Sequence, residues 1–258
     1  MKSLIPTTIL LAAVLGAVTM FAQEPAQRQY YELRVYKTQS EEQQKQVNDY
    51  WQNAGIPAYN RMGIQPIGVF TELKDSPTNK VYVVIPFDSL DEFASVLARL
   101  ASDAAYQSAA ATYLNLTKPG TAYDRIESSL NVAFDTYKKL TPPPSAADKR
   151  PWIFELRTYE SPSEGKGVNK VQMFNSGEVP LMQDTGLNPV FFSQTLIGPQ
   201  MPNLVYMVSG PNMEEHKKHW KAFQDSPIWK KLIGDPQYKD NVSHSVNIFL
   251  KRTSASQI

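Results

Sequence analysis

The 258-residue chain contains no cysteine. That excludes a disulfide framework, a thiol nucleophile and a thiolate metal site. It has no HExxH pair, no phosphate-binding glycine loop and no nucleophile elbow, which sets aside the enzyme classes those motifs define. Nor is there an excess of positive charge. Without residues 1–22, which hold Lys2 and no acid, the 26 basic and 25 acidic residues become equal in number. A nucleic-acid partner calls for a basic excess to neutralise phosphates, so no nucleic acid is expected. A polybasic membrane patch is missing for the same reason.

Long hydrophobic runs are also scarce, with one exception. Met1-Lys2-Ser3 is followed by an uncharged stretch from Leu4 to Ala22, which turns polar at Gln23-Glu24-Pro25. A basic start, an apolar core and a small residue at a polar boundary read as a secretory signal peptide over residues 1–22. The mature protein is then exported, to the periplasm or the exterior of a bacterium. An uncleaved membrane anchor is the alternative, and would be the chain's only membrane contact.

What the chain does have is a repeat. YYELRVY (Tyr30 to Tyr36) returns as IFELRTY (Ile153 to Tyr159), with Glu32 matched to Glu155 at an offset of 123 residues. The same offset maps Trp51 to Phe174, Pro57 to Pro180, Gly63 to Gly186 and Pro66 to Pro189. NKVYVV (Asn79 to Val84) matches NLVYMV (Asn203 to Val208) one residue later. The copies are placed at 28–138 and 152–252, with a proline-rich linker at 139–151 that includes TPPPSAADKRP.

Each copy reads β-α-β-β-α-β. In the first, a strand at Tyr30–Tyr36 alternates at period two. Ser40 and Gln43 have capping-box spacing before a helix that places Val47, Tyr50, Trp51 and Ala54 on one face. Strands follow at Ile67–Leu73 and Val81–Ile85. Ser89 and Glu92 cap a second helix, an alanine-rich helical stretch runs from Asp103 to Leu116, and Leu130–Phe134 closes the unit. The second copy gives strands near Ile153–Tyr159, Val190–Ile197, Leu204–Ser209 and Ser245–Leu250, and helices near Val168–Met182 and Met213–Phe223. The fold class is α+β, two tandem ferredoxin-like units. Helices cover one face of each antiparallel sheet, so the other face needs a partner, and two such sheets make an α/β barrel. The partner is the other copy in the same chain; a homodimer is the alternative.

The ELRxY strand, the Pro and Gly a helix later, the VYxV strand and Asp225-Ser226-Pro227-Ile228-Trp229 resemble the NIPSNAP family. The first copy departs at the last motif, reading Asp103-Ala104-Ala105-Tyr106. The resemblance implies the dimeric α/β-barrel group, whose members include cofactor-free monooxygenases, haem-handling enzymes and binding proteins. It implies no settled activity.

Alternation along the first strand separates Tyr31, Leu33 and Val35 from Glu32, Arg34 and Tyr36. The expectation is that the apolar set packs on the helices and the polar set enters the barrel, with Glu155, Arg157 and Tyr159 doing the same in the second copy. Tyr82 and Tyr206 hold matching mid-strand positions and join the candidate lining, as does His244 before the last strand. These nine residues are the candidate ligand contacts, read either as ion pairs that fix how the sheets meet or as a polar floor for a small ligand. His216 and His219 have metal-compatible spacing. The acids and lysines around them read as a solvated helix face, so no metal and no cofactor is expected. Three functions stay open: a binder of a small, partly apolar molecule, a cofactor-free barrel enzyme of monooxygenase-like or isomerase-like type, and a protein-interaction module with a filled barrel.

Overall fold

In the computed structural model, which describes residues 27–73 and 79–258, each copy contributes four strands. The first gives β1 (Tyr30–Lys37), β2 (Gly68–Glu72), β3 (Val81–Phe87) and β4 (Arg125–Ala133); the second gives β5 (Ile153–Glu160), β6 (Pro189–Ile197), β7 (Asn203–Gly210) and β8 (His244–Arg252). They close into one barrel in the order β1-β3-β2-β8-β5-β7-β6-β4. All neighbouring pairs are antiparallel. The seams between the copies are β2 with β8 and β6 with β4, so the expected intrachain pairing of the two sheets is what closes the barrel. β4 starts earlier than its apolar run, at Arg125, because the polar stretch Arg125–Ser129 stays in register with β1 out to Lys37. The expected signal peptide at 1–22 lies outside the described residues. Among the described residues, no helix is long and apolar enough to cross a membrane.

The helices start where the sequence places caps. Ser40 and Ser89 accept the N–H groups of Gln43 and Glu92, opening α1 (Glu41–Tyr50) and α3 (Leu90–Ser102). Asp103 accepts from Tyr106 and opens α4 (Ala104–Leu114). In the second copy Ser163, Asn212 and Ser226 cap α5 (Glu164–Met173), α7 (Met213–Asp225) and α8 (Pro227–Gly234). Each such side chain satisfies one of the helix's orphan N–H groups, typically worth about 1 kcal/mol. Both copies then show a π-helical turn at the same offset. Trp51–Gly55 leads into α2 (Ile56–Arg61), and Phe174–Glu178 leads into α6 (Val179–Asp184). The N–H of Ile56 reaches back five residues to Trp51, and that of Val179 to Phe174. Pro57 and Pro180 follow, and each lacks the N–H that would restore the α register.

Among the described residues, three apolar clusters result. One lies between the first sheet and its helices, around Trp51, Tyr59, Val83 and Ile85, and another under the second set, around Phe174, Phe192, Tyr206 and Phe223. The third lies inside the barrel and draws on both copies: Tyr31, Leu33, Phe70, Tyr82, Phe154, Leu156, Phe191 and Met207.

That third cluster corrects the expected register. Tyr31, Leu33, Phe154 and Leu156 face the interior, whereas Glu32, Arg34, Tyr36, Glu155, Arg157, Tyr159 and Tyr206 face the helices. The physical reason is that both faces of these strands are covered. β3 is buried at every position, so alternation separates two faces without saying which one looks inward. The inner face converges from eight strands and takes the more apolar set, while helix side chains supply hydrogen bonds to the charged set.

The barrel's two ends differ. The linker crosses one of them, where Leu140 joins the interior cluster and the N–H of Thr141 bonds to Val190. Arg252 donates to the carbonyl and hydroxyl of Ser145, and Ile258 is buried among the barrel residues. This end is closed. The other, where β1 and β5 finish, is open.

Candidate functional site

The open end holds a cavity of about 410 Å³. Its floor is aliphatic: Leu33 and Val35 of β1, Leu156 of β5, Val205 of β7, and Val246 and Ile248 of β8. All come from the inward faces of the strands, so the one-residue register that closes the core also builds this floor. Above it the wall turns polar, with Ser129, Thr158, Thr195 and Asn203, and the rim carries Lys37, Lys80 and Glu127. The β6–β7 hairpin brings Pro199 and Gln200 over one side. Its approach needs a residue without a side chain, since a Cβ on Gly198 would lie 2.6 Å from the Cβ of Ser129.

Two hydrogen-bond systems stiffen the wall. The Thr195 hydroxyl stands between two acceptors, Asn131 Oδ1 of β4 at 2.7 Å and Asn203 Oδ1 of β7 at 2.5 Å, and its one proton serves either strand at a time. The Tyr82 hydroxyl donates to Glu72 Oε1 at 2.9 Å. Burial raises the Tyr82 phenol well above its ordinary range, and the Glu72 hydrogen bond and charge push it the same way. The phenol therefore keeps its proton at physiological pH, and that proton is held by Glu72.

Of the nine candidate contacts, only Tyr82 lines this cavity. In the first copy Arg34 makes two bonds to Glu32, at 2.6 and 2.9 Å, and a third to the Tyr59 hydroxyl at 3.2 Å. Ser128 donates to the same carboxylate at 2.7 Å, and Tyr36 is buried in the helix-side cluster. In the second copy Arg157 bonds Glu155 at 2.6 Å and the Tyr159 hydroxyl at 2.8 Å, which in turn lies 3.0 Å from the Tyr206 hydroxyl. The two sets lie under different helix layers and are not brought together. His244 is exposed, with Nδ1 3.0 Å from Glu160 Oε1.

Sequence reasoning missed Leu33, Val35 and Leu156 because it assigned them to the helices, and it gave Val205, Val246 and Ile248 no face at all. It also misplaced His216. The expected solvated face is instead a buried histidine, Nε2 2.8 Å from Glu155 Oε2, while Trp220 Nε1 donates to the same oxygen at 2.7 Å. The available signal was the spacing of four residues between His216 and Trp220, which puts both on one helix face.

Glu155 gives a pH prediction. Its burial acts to raise the carboxyl, but the His216 hydrogen bond, the Arg157 charge and the Trp220 N–H together hold it below the ordinary value of 4.5. A depressed acid contributes stability that is present above its unfolded value and lost as pH falls from there toward the folded value. Melting temperature should thus decline below about pH 4.5. Glu155→Gln should flatten that decline and lower the neutral plateau, which circular-dichroism melts across pH will show.

The NIPSNAP family model matches residues 31–133 and again residues 154–257. The chain belongs to the NIPSNAP family. No curated protein matches it closely enough to count as a relative. Among solved structures, this NIPSNAP chain is similar to a monooxygenase candidate from Lactobacillus acidophilus, at 10% identity and a TM-score of 0.58 over 89% of this chain and 97% of that one. A monooxygenase candidate from Fusobacterium nucleatum aligns over 87% and 92% of the two chains, at 9% identity and a TM-score of 0.53. An anthrone oxidase-like protein aligns over 88% and 92%, at 11% identity and a TM-score of 0.51. At these identities the likeness is one of fold, and it spans both copies at once.

Proposed function

We propose that this NIPSNAP protein is an exported barrel that binds a small, partly apolar molecule in the open end of its interior. The observation that carries the reading is the 410 Å³ cavity, an aliphatic floor under a polar wall. Its size falls within the range usual for small-molecule sites, and it has their mixture of apolar lining and a few oriented polar groups. A barrel filled with side chains would have favoured the interaction module. Export is supported by the leader pattern in the sequence.

The test is a thermal-shift and calorimetric screen with small aliphatic and aromatic acids, alcohols and phenols. A ligand at a hundred times its dissociation constant stabilises by about 2.7 kcal/mol, which such a screen detects. Val246→Trp places an indole in the cavity from a half-buried position of its floor. It should weaken binding by about tenfold or more at an overpacking cost of about 1–3 kcal/mol. Binding that is indifferent to Val246→Trp would place the ligand elsewhere and sink the proposal.

A second reading, a cofactor-free oxidation in the same cavity, is favoured by one observation: the Tyr82 phenol on the wall is fixed to a carboxylate behind it. Tyr82→Phe separates the two readings. A binding protein keeps its ligand with a modest loss of affinity, whereas an enzyme using that phenol loses turnover with binding preserved.

A further inference from the structure

We infer that the ligand of this cavity is an organic monocarboxylate with a compact apolar body. The inference rests on the reading of the cavity as a ligand site, and adds the chemistry that the site selects. Charge comes first. Tyr36 pairs with Val81 across β1 and β3, so Lys37, just after Tyr36, and Lys80, just before Val81, stand on neighbouring strands at the same rim. Both line the cavity, and among the described residues the one acid that lines it with them is Glu127. Glu127 is paired with Lys37. Lys80 is half-buried and has no ion-pair partner among the described residues. Among the described residues the lining therefore carries two ammonium groups against one carboxylate, a net charge that a single anion completes.

Hydrogen-bonding capacity points the same way. Ser129 Oγ accepts from Asn131 Nδ2 at 3.1 Å, which leaves its own proton to give. Thr158 has no side-chain hydrogen bond among the described residues, so its hydroxyl is also available to the cavity. The Tyr82 proton is already committed to Glu72, and Glu72 is not itself part of the lining. The wall thus offers an ammonium and two hydroxyl protons, which suit a group that only accepts, and an ionised carboxylate is such a group. Below it the floor carries no charge. A carboxylate pushed into that floor would lose its hydration without a partner, so the anion sits at the rim and the hydrocarbon beneath. The volume suits a medium-chain or single-ring acid better than a two-chain lipid.

The test compares acids with their uncharged counterparts on the whole protein. Octanoate and hydrocinnamate are titrated by calorimetry at neutral pH beside their methyl esters, which keep the apolar body and remove the charge. The acids should bind at least about tenfold more tightly than the esters. Lys80→Gln should reduce that preference to within about threefold and leave ester affinity unchanged, and Lys80→Arg should restore it. Circular-dichroism melts report whether each variant is folded, and the wild-type comparison needs no variant at all. Esters that bind as tightly as acids would overturn the carboxylate while leaving the cavity as a site. An acid preference that survives Lys80→Gln would overturn the role given to the rim cation. If neither acids nor esters bind, the cavity reading itself falls.

Discussion

Lys170→Met is expected to destabilise the protein by about 3–5 kcal/mol at neutral pH, and the double change Lys170→Met with Glu178→Met to recover most of that loss. Lys170 Nζ lies 2.5 Å from Glu178 Oε1, and both side chains are 5% exposed or less. The ammonium also stands 4.8 Å from the Phe174 ring centroid, 5.6 Å from that of Tyr159 and 5.8 Å from that of Trp229. Removing it leaves a fully buried carboxylate whose only bonded partner among the described residues was Lys170. The duplication provides the comparison. At the same offset the first copy has Val47 and Gly55, both buried, beneath the same π-helical turn. One backbone therefore accepts either an ion pair or an apolar pair, and the fold itself does not require the charges.

The pH dependence of that loss has a definite sign. Burial raises the Glu178 carboxyl even with Lys170 beside it, and Lys170 opposes the shift. In Lys170→Met the opposing charge is gone and the folded value rises further. An acid with a raised folded value binds more protons folded than unfolded, so stability falls as pH climbs from the unfolded value through the folded one. The single variant should then be weakest at neutral pH and approach wild type toward the unfolded Glu value of 4.5. The double variant should show no such slope. At about 2–4 °C per kcal/mol for a chain of this size, the neutral-pH loss is roughly 10 °C in melting temperature. A single variant that melts with wild type at every pH would show that the pair is not buried as described.

How far the sequence reveals this structure depends on which interactions are local. The caps were legible because Ser40 and Gln43, or Ser89 and Glu92, are three residues apart and their chemistry is decided within one turn. The duplication was legible because one offset held through strand, helix, Pro and Gly. Inward and outward faces were not. Glu155 is satisfied by His216 and Trp220, 61 and 65 residues away, and Arg34 by Tyr59, 25 residues away. Nothing near the ELRxY motif signals those partners. Reading Glu and Arg as interior groups assumed that the helix side is purely apolar, and here the helices bring a histidine, a tryptophan and a tyrosine to meet them. The cavity was harder still, since its floor is assembled from β1, β5, β7 and β8, and no single segment announces it.

The repeated motif carries the second large prediction. Arg34→Ala should cost about 3–4 kcal/mol, and Arg157→Ala about 1 kcal/mol less, although the motif is spelled alike in both copies. The difference lies in what each glutamate keeps. Arg34 supplies two of the bonds to Glu32, and after its removal the carboxylate retains Ser128 alone. Arg157 supplies one bond to Glu155, and His216 and Trp220 still hold the other oxygen. Arg157→Ala also removes packing, because its guanidinium lies 4.6 Å from the Trp220 ring centroid, against 5.8 Å from Trp51 for Arg34. That loss narrows the gap, since a cation–π contact is worth about 0.5–1 kcal/mol at exposed sites and about 2 kcal/mol when desolvated, and Arg157 and Trp220 are both half-buried. Neither variant should alter ligand binding in the folded protein, because both arginines stand on the helix side of the sheet, away from the cavity. Chemical denaturation of the two variants gives the ranking, and calorimetry on the folded fractions gives the binding. Equal losses would mean that the His216 and Trp220 bonds to Glu155 contribute no more than the extra Trp220 packing that Arg157→Ala removes. A binding defect in either variant would put these side chains in contact with the ligand and return them to the barrel interior.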